Sequence, residues 1–192
     1  LAQVKKEFVK TAILESALRL FSERGYNRTT LQDIAQGAGA TVGNVYSYFD
    51  SKLRILYEVY EPWQDARYAE LDAHLKTIEN PREKLRAILL GVWRDIPTRN
   101  IMLANSLMEA LSSTDGAAGK PSRLLHTTEA RVAAMLGDVG RENLNGFVNL
   151  DVLPNLILMA YDGYVINSRL KDLPDFDALV ETMCDMILRA PS

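Results

Sequence analysis

A chain of 192 residues with 47% hydrophobic and 24% charged side chains is ordinary for a soluble globular protein. It has room for one large domain, or for a small domain joined to a medium one. No apolar run is long enough for a membrane span, and the opening LAQVKKEF holds no signal-peptide core. The single Cys184 excludes an internal disulfide, sits in an apolar helical pattern as a core thiol, and points to a reducing cytoplasm.

The net charge of −3 speaks against a general nucleic-acid binder, but the charge is unevenly spread. Residues 1–60 carry eight Lys/Arg against six Asp/Glu, a net of +2, while residues 61–192 carry 14 against 19, a net of −5. A mildly basic head on an acidic body fits a small nucleic-acid-contacting module better than a uniform enzyme.

Helical periodicity runs through almost the whole chain, and strand patterns are nearly absent. A first helix is predicted over residues 4–24, with Phe8, Ala12, Leu14, Ala17, Leu18 and Phe21 as its apolar stripe and Gly25 as its stop. A second starts at Thr30, where the hydroxyl can cap the helix while Asp33 reaches back, and it ends at Gly37. Gly39 and its small neighbours make a tight turn. Thr41 can cap a third helix, in which Val45 and Phe49 share one face.

Ser51 can cap a fourth helix from Lys52, with Leu53, Leu56, Val59 and Tyr60 on its stripe. Pro62 is expected to kink or break it before it continues through Trp63, Leu71, Leu75 and Ile78. Asn80-Pro81 restarts a fifth helix carrying Leu85, Ile88, Leu89 and Val92 and ending before Pro97. A sixth covers residues 98–111, residues 112–121 read as a loop, and a seventh covers residues 122–136. Residues 137–150, rich in Gly and Asn, carry no readable pattern. An eighth helix covers residues 150–170 and a ninth residues 175–189. The fold class is therefore all-α, about nine helices in all. An N-terminal three-helix helix-turn-helix domain occupies residues 1–50, and a C-terminal helical bundle occupies residues 51–192.

A helix-turn-helix lays its second helix in the DNA major groove, N-terminal residues nearest the bases, and uses hydroxyls, amides and cations on phosphates to fix register. Residues 30–52 supply that set. Val45 and Phe49 anchor the helix, Thr41, Gly43 and Asn44 stand at its exposed start, and Gly43 lets the backbone approach closely. Tyr46 and Tyr48 offer hydroxyls or ring faces, and Lys52 a cation at a positive helix end.

The string GYNRTTLQDIA, followed by Gly39 and then by GNVYSYFDSK, resembles the TetR family of bacterial one-component transcription regulators. The resemblance covers about the first 55 residues; beyond them it is one of architecture only. Carried over by position, it implies that Thr30 contacts phosphate, that Thr41, Val42, Gly43 and Asn44 face the groove, that Tyr46 and Tyr48 hold backbone phosphates, and that Lys52 neutralises one. Ala40 stands where the family usually has Val, and Val42 where it usually has a polar or basic residue. Val42 offers no hydrogen bond to a base but can touch a thymine methyl.

The resemblance further implies a ligand-binding and dimerising bundle. Trp63, Trp93, Met102, Met108 and Met159 are soft or aromatic residues suited to an apolar or aromatic effector, though such residues usually pack cores. Asn105 and Asp162 are candidate polar anchors within apolar helices. His74 and His126 have no partners at metal-ligand spacing, so neither a metal nor a cofactor is expected. Leu153, Leu156, Ile157, Ala160 and Tyr164 on the eighth helix, with Leu179, Met183, Met186 and Ile187 on the ninth, form the expected homodimer interface.

The function these readings imply is a cytoplasmic, ligand-responsive repressor binding a pseudo-palindromic operator as a dimer. An effector in the bundle would shift the helix that leads into the head, with Pro62 as its flexing point. No nucleophile–base pair, phosphate loop or metal cluster suggests an enzyme. Two other readings stay open: a helical small-molecule-binding protein, and an architectural DNA-binding factor without ligand.

Overall fold

A computed structural model describes residues 2–113, 122–167 and 175–189. Among them lie α1 (Ala2–Arg24), α2 (Leu31–Gly37), α3 (Val42–Tyr46), α4 (Lys52–Leu75), α5 (Pro81–Leu90), α6 (Ile96–Arg99), α7 (Ile101–Ser112), α8 (Ser122–Gly137), α9 (Leu153–Asn167) and α10 (Phe176–Ile187). A π-helical turn, Gly91–Asp95, joins α5 to α6, and a 3-10 turn spans Arg141–Asn143. The expected loop beyond Ser113 and the expected end of the eighth helix at residue 170 fall outside the described residues.

The chain forms two compact units. The first holds the described residues up to Ala66 together with those from Arg99 to Ser113; the second holds Arg67 to Thr98 and the described residues from α8 onward. The first unit thus takes in, besides residues 1–50, the start of α4 and all of α7.

In the first unit, α1 packs against both α2 and α7. Its buried row is Ile13, Ala17, Leu20 and Phe21, spaced four, three and one apart as a helical stripe requires. The sequence-expected stripe needs correction here: Phe8 is 73% exposed and Leu18 is also on the outer side. Ile34, Ala35, Val45, Phe49, Leu56, Val59 and Tyr60 are buried as expected. From α7, Ser106 Oγ donates to the Phe21 carbonyl at 3.2 Å and Asn100 Nδ2 to Ser22 Oγ at 2.7 Å.

Gly25 ends α1 at φ 80°, the left-handed region that favours glycine, and an added Cβ would lie 3.2 Å from a Glu109 carboxylate oxygen. Glu109, on α7, accepts the Asn27 backbone N–H at 2.9 Å and so closes the turn between α1 and α2.

The second unit is built around α5, which packs against α8 and α10, while α9 packs against α8 and the π turn. Arg82 bridges Glu181 and Asp185 at 2.7 Å each, and Arg86 bridges Glu181 and Asp177 at 2.8 and 2.9 Å, fixing how α10 lies along α5. Gly91 admits Leu71 from the second half of α4; a Cβ there would meet Leu71 Cδ2 at 2.6 Å. Cys184 is fully buried, and burial pushes its thiol up to about 11, so it is an inert core group.

Three departures from the sequence reading have local causes. The helix α4 runs unbroken through Pro62, which faces solvent, so the Glu58 carbonyl that loses its helical partner can turn to water. Pro97 does not end a helix: the π turn lets the chain shift its hydrogen-bond frame, and Pro97 sits second in α6. In the stretch without pattern, Leu144 pairs with Leu188, Asn145 N–H donates to the Ile187 carbonyl at 2.9 Å, and Arg189 N–H to the Asn143 carbonyl at 2.8 Å. Those partners are more than forty positions away, out of reach of any local pattern.

Gly25→Ala is expected to lower stability by about 1–2 kcal/mol, the cost of an L side chain in the left-handed region. A urea unfolding midpoint that does not move would reject this account of the turn.

Candidate nucleic-acid interface

The two shortest helices are held by reciprocal caps. Thr30 Oγ1 accepts from Asp33 N–H at 3.1 Å, while Asp33 Oδ2 accepts from Thr30 N–H at 2.9 Å and from the Thr30 hydroxyl at 2.7 Å. These Thr30 bonds hold the Asp33 carboxyl below its ordinary range. After α2, Gly39 takes φ 63° and Ala40 N–H returns to the Ala35 carbonyl at 2.9 Å, closing the turn.

Thr41 repeats the device. Its Oγ1 accepts from Asn44 N–H at 3.1 Å, and Asn44 Oδ1 accepts from the Thr41 N–H at 3.1 Å and hydroxyl at 2.9 Å. The Asn44 oxygen is therefore occupied, and its NH₂ remains as an outward donor. Such a group can give a hydrogen bond to a purine N7, a thymine O4 or a phosphate. It cannot make the two-sided contact to adenine that needs the oxygen as well.

Beneath α3, Val45 is fully buried and Phe49 nearly so. On the outside, Gly43 and Asn44 are exposed, Val42 is half-buried, and Tyr46 is 57% exposed. An added Cβ on Gly43 would meet nothing nearer than Thr41 Oγ1 at 3.7 Å. The fold itself thus leaves room for a side chain at Gly43. Tyr48 is half-buried, its ring tilted on Phe49 at a centroid distance of 6.4 Å.

Lys52 is placed differently from a free surface cation. Its Nζ donates to the Tyr26 and Thr29 carbonyls, both at 2.9 Å, and lies 4.0 Å from the centroid of the Tyr26 ring. Burial lowers its pKa, and Glu109 opposes that shift. Thr29 is buried and donates its own hydroxyl to the Gly25 carbonyl at 2.8 Å. Lys52, Thr29 and Glu109 together lock the turn from which α2 departs. Nothing in the local sequence marks Glu109, because its partner Asn27 lies 82 positions away.

The candidate effector residues are divided between the units. Trp63, Met102, Asn105 and Met108 are half-buried in the first, and the Trp63 ring lies 5.4 Å from that of Tyr60. In the second, Trp93 is buried, with its N–H on the Ile157 carbonyl at 2.8 Å and Phe176 edge-on at 6.3 Å. Asp162 is exposed, and Met159 is a surface residue at 62% exposure.

The expected dimer residues resolve into two rows. Leu153, Ile157 and Ile187 face the interior of the second unit. Leu156, at 53%, and Met186, at 57%, are exposed with Ala160 and Leu179, and Met183 is half-buried. The side chain of Tyr164 lies outside the described residues.

Residues 13–59 match the family model described as bacterial regulatory proteins, tetR family. The chain is 30% identical over 103 residues to the HTH-type transcriptional repressor KstR2 of Mycolicibacterium smegmatis, covering 54% of this chain and 50% of that one. It is 25% identical over 199 residues to the probable HTH-type transcriptional regulator ArpR of Pseudomonas putida, covering 95% and 93%. The chain spans only half or less of the length of the first curated relatives it matches. In fold it is similar to a putative TetR-family transcriptional regulator from Rhodococcus sp., with TM-score 0.69, 17% identity and coverage of 93% and 98%.

Lys52→Met is expected to leave the Tyr26 and Thr29 carbonyls without their donor and to cost about 1–3 kcal/mol. The readout is a lower urea midpoint at unchanged slope. A midpoint equal to that of the parent chain would show that the clamp does not support the head.

Proposed function

We propose, from the match of residues 13–59 to the tetR family of bacterial regulatory proteins, that the chain is a sequence-specific, DNA-binding transcriptional repressor acting as a homodimer. The observation that carries the DNA reading is Gly43, exposed on a firmly anchored α3 at a position where the fold has no need of glycine. A bare backbone there suits close approach to the floor of a major groove. Thr41, Val42 and Asn44 stand beside it toward the bases, and Thr30, Tyr46 and Tyr48 toward the phosphates. The repressor sense comes from the relative named as one.

The dimer reading is supported by α9 and α10. A helix apolar on both sides needs a cover on both. The second unit covers Leu153 and Ile157 on α9, whereas Leu156, Met159 and Ala160 stay bare, as do Leu179 and Met186 on α10. A second copy pairing the same two helices across a twofold axis covers both rows and sets two copies of α3 against a pseudo-palindrome.

A small apolar or aromatic effector completes the proposal. The helix α4 is continuous, its first part in one unit and its remainder in the other. A ligand that moves its second half is felt where Lys52 clamps the turn before α2. Such coupling requires effector affinity to differ between the DNA-bound and free states.

Selection from a pool of random duplexes at physiological salt is expected to return an inverted repeat. Gly43→Leu is expected to weaken binding to it at least about tenfold, near 1.4 kcal/mol, with the fold unchanged. Salt-sensitive binding without an enriched sequence would leave the architectural reading instead. A separate test is sedimentation: Leu156→Asp combined with Met186→Asp is expected to turn a dimer into a monomer. A parent chain that is monomeric at micromolar concentration would end the dimer reading.

A further inference from the structure

A groove of about 510 Å³ opens between α1 and α3, lined by Lys6, Glu7, Lys10, Asn44, Ser47 and Tyr48. One wall is thus the helix proposed to enter DNA, and the other carries two lysines that the recognition motif does not contain. We propose that this groove seats a backbone phosphodiester of the bound duplex, with Lys6 and Lys10 supplying the positive charge. The inference rests on the DNA-binding reading and extends it.

The chemistry of the lining is specific in three respects. First, the motif's own cation, Lys52, is turned inward onto two carbonyls and a tyrosine ring. Backbone charge beside α3 then has to be met by other groups, and the groove holds two. Lys6 is exposed, and Lys10 lies 4.0 Å from a Glu58 oxygen while Glu58 also pairs with Arg54, so Lys10 is only loosely held.

Second, the neutral donors are sorted. The Ser47 hydroxyl already donates to the Gly43 carbonyl at 2.9 Å, and the Asn44 oxygen is committed to Thr41. The Asn44 NH₂ and the Tyr48 hydroxyl remain to reach an anion's oxygens. Third, Glu7 offsets one lysine, leaving the lining at a net +1. That matches the single charge of a phosphodiester better than the double charge of a free phosphate at neutral pH.

The test uses the whole chain and its Lys6→Gln and Lys10→Gln variants. Affinity is measured for a short random duplex and for the selected inverted repeat between about 50 and 200 mM salt. Each substitution is expected to make the slope of log affinity against log salt shallower by up to about 0.9 for each groove, and so by up to about 1.8 for a dimer that carries two. The change should be the same on both DNAs, because a backbone contact carries no sequence information. Parent-like slopes in both variants, with DNA still bound, overturn the groove proposal and leave the regulator standing. A parent chain that binds no duplex overturns both. Saturable shifts of the Asn44 and Ser47 amide resonances with inorganic phosphate, alongside unaltered duplex slopes, assign the groove to free phosphate and also overturn the proposal.

Discussion

Five residues close scarcely more than one helical turn, and the first turn of any helix is its least favourable step. The helix α3 has that length, and α2 has seven residues. Everything proposed for the head depends on keeping these two fragments folded and correctly oriented. Two reciprocal caps satisfy the orphan N–H groups, at Thr30 with Asp33 and at Thr41 with Asn44. Tertiary anchoring does the rest. Val45 and Phe49 are driven into the core, and the turn ahead of α2 is tied by Lys52 and by Glu109 from α7.

This arrangement separates the two faces of α3. The inner face is apolar and buried, so the outer face is free of any duty to the fold. Gly43 shows it most directly, since a side chain there would touch nothing closer than 3.7 Å. Asn44 belongs to both faces. Its oxygen serves the cap and its NH₂ takes no part in it, so in the recognition proposed above it is a donor only. If α3 enters a groove as proposed, Asn44 and Val42 suit acceptors and methyl groups better than donors.

The head was legible in the sequence because its determinants are local. Cap residues stand three apart, Val45 and Phe49 stand four apart, and Gly39 marks the turn. The rest depended on partners remote in the chain. Phe8 looked like a core residue by period, but the row facing α2 and α7 is Ile13, Ala17, Leu20 and Phe21, and only the neighbours decide which row is buried. Lys52 looked like a surface cation, since no pattern shows that the Tyr26 and Thr29 carbonyls converge on it. In α9 the apolar residues run nearly all round. Sequence therefore marked Leu153, Leu156 and Ile157 together, although packing puts the first and third inside and the second outside.

The same remoteness bears on regulation. Glu109 reaches the turn before α2 from α7, and Lys52 reaches it from the start of α4. Two helices that follow α3 in the chain thus hold the segment from which α2 departs. Any event that moves α4 or α7 acts on three hydrogen bonds: one to the Asn27 N–H, one to the Tyr26 carbonyl and one to the Thr29 carbonyl. Loss of these bonds would not unfold α3, whose caps and anchors are its own. It would release the orientation of the pair α2–α3. The dimer proposed above needs that orientation to meet two successive grooves at once, and on that proposal a shift too small to disturb either helix would abolish simultaneous contact.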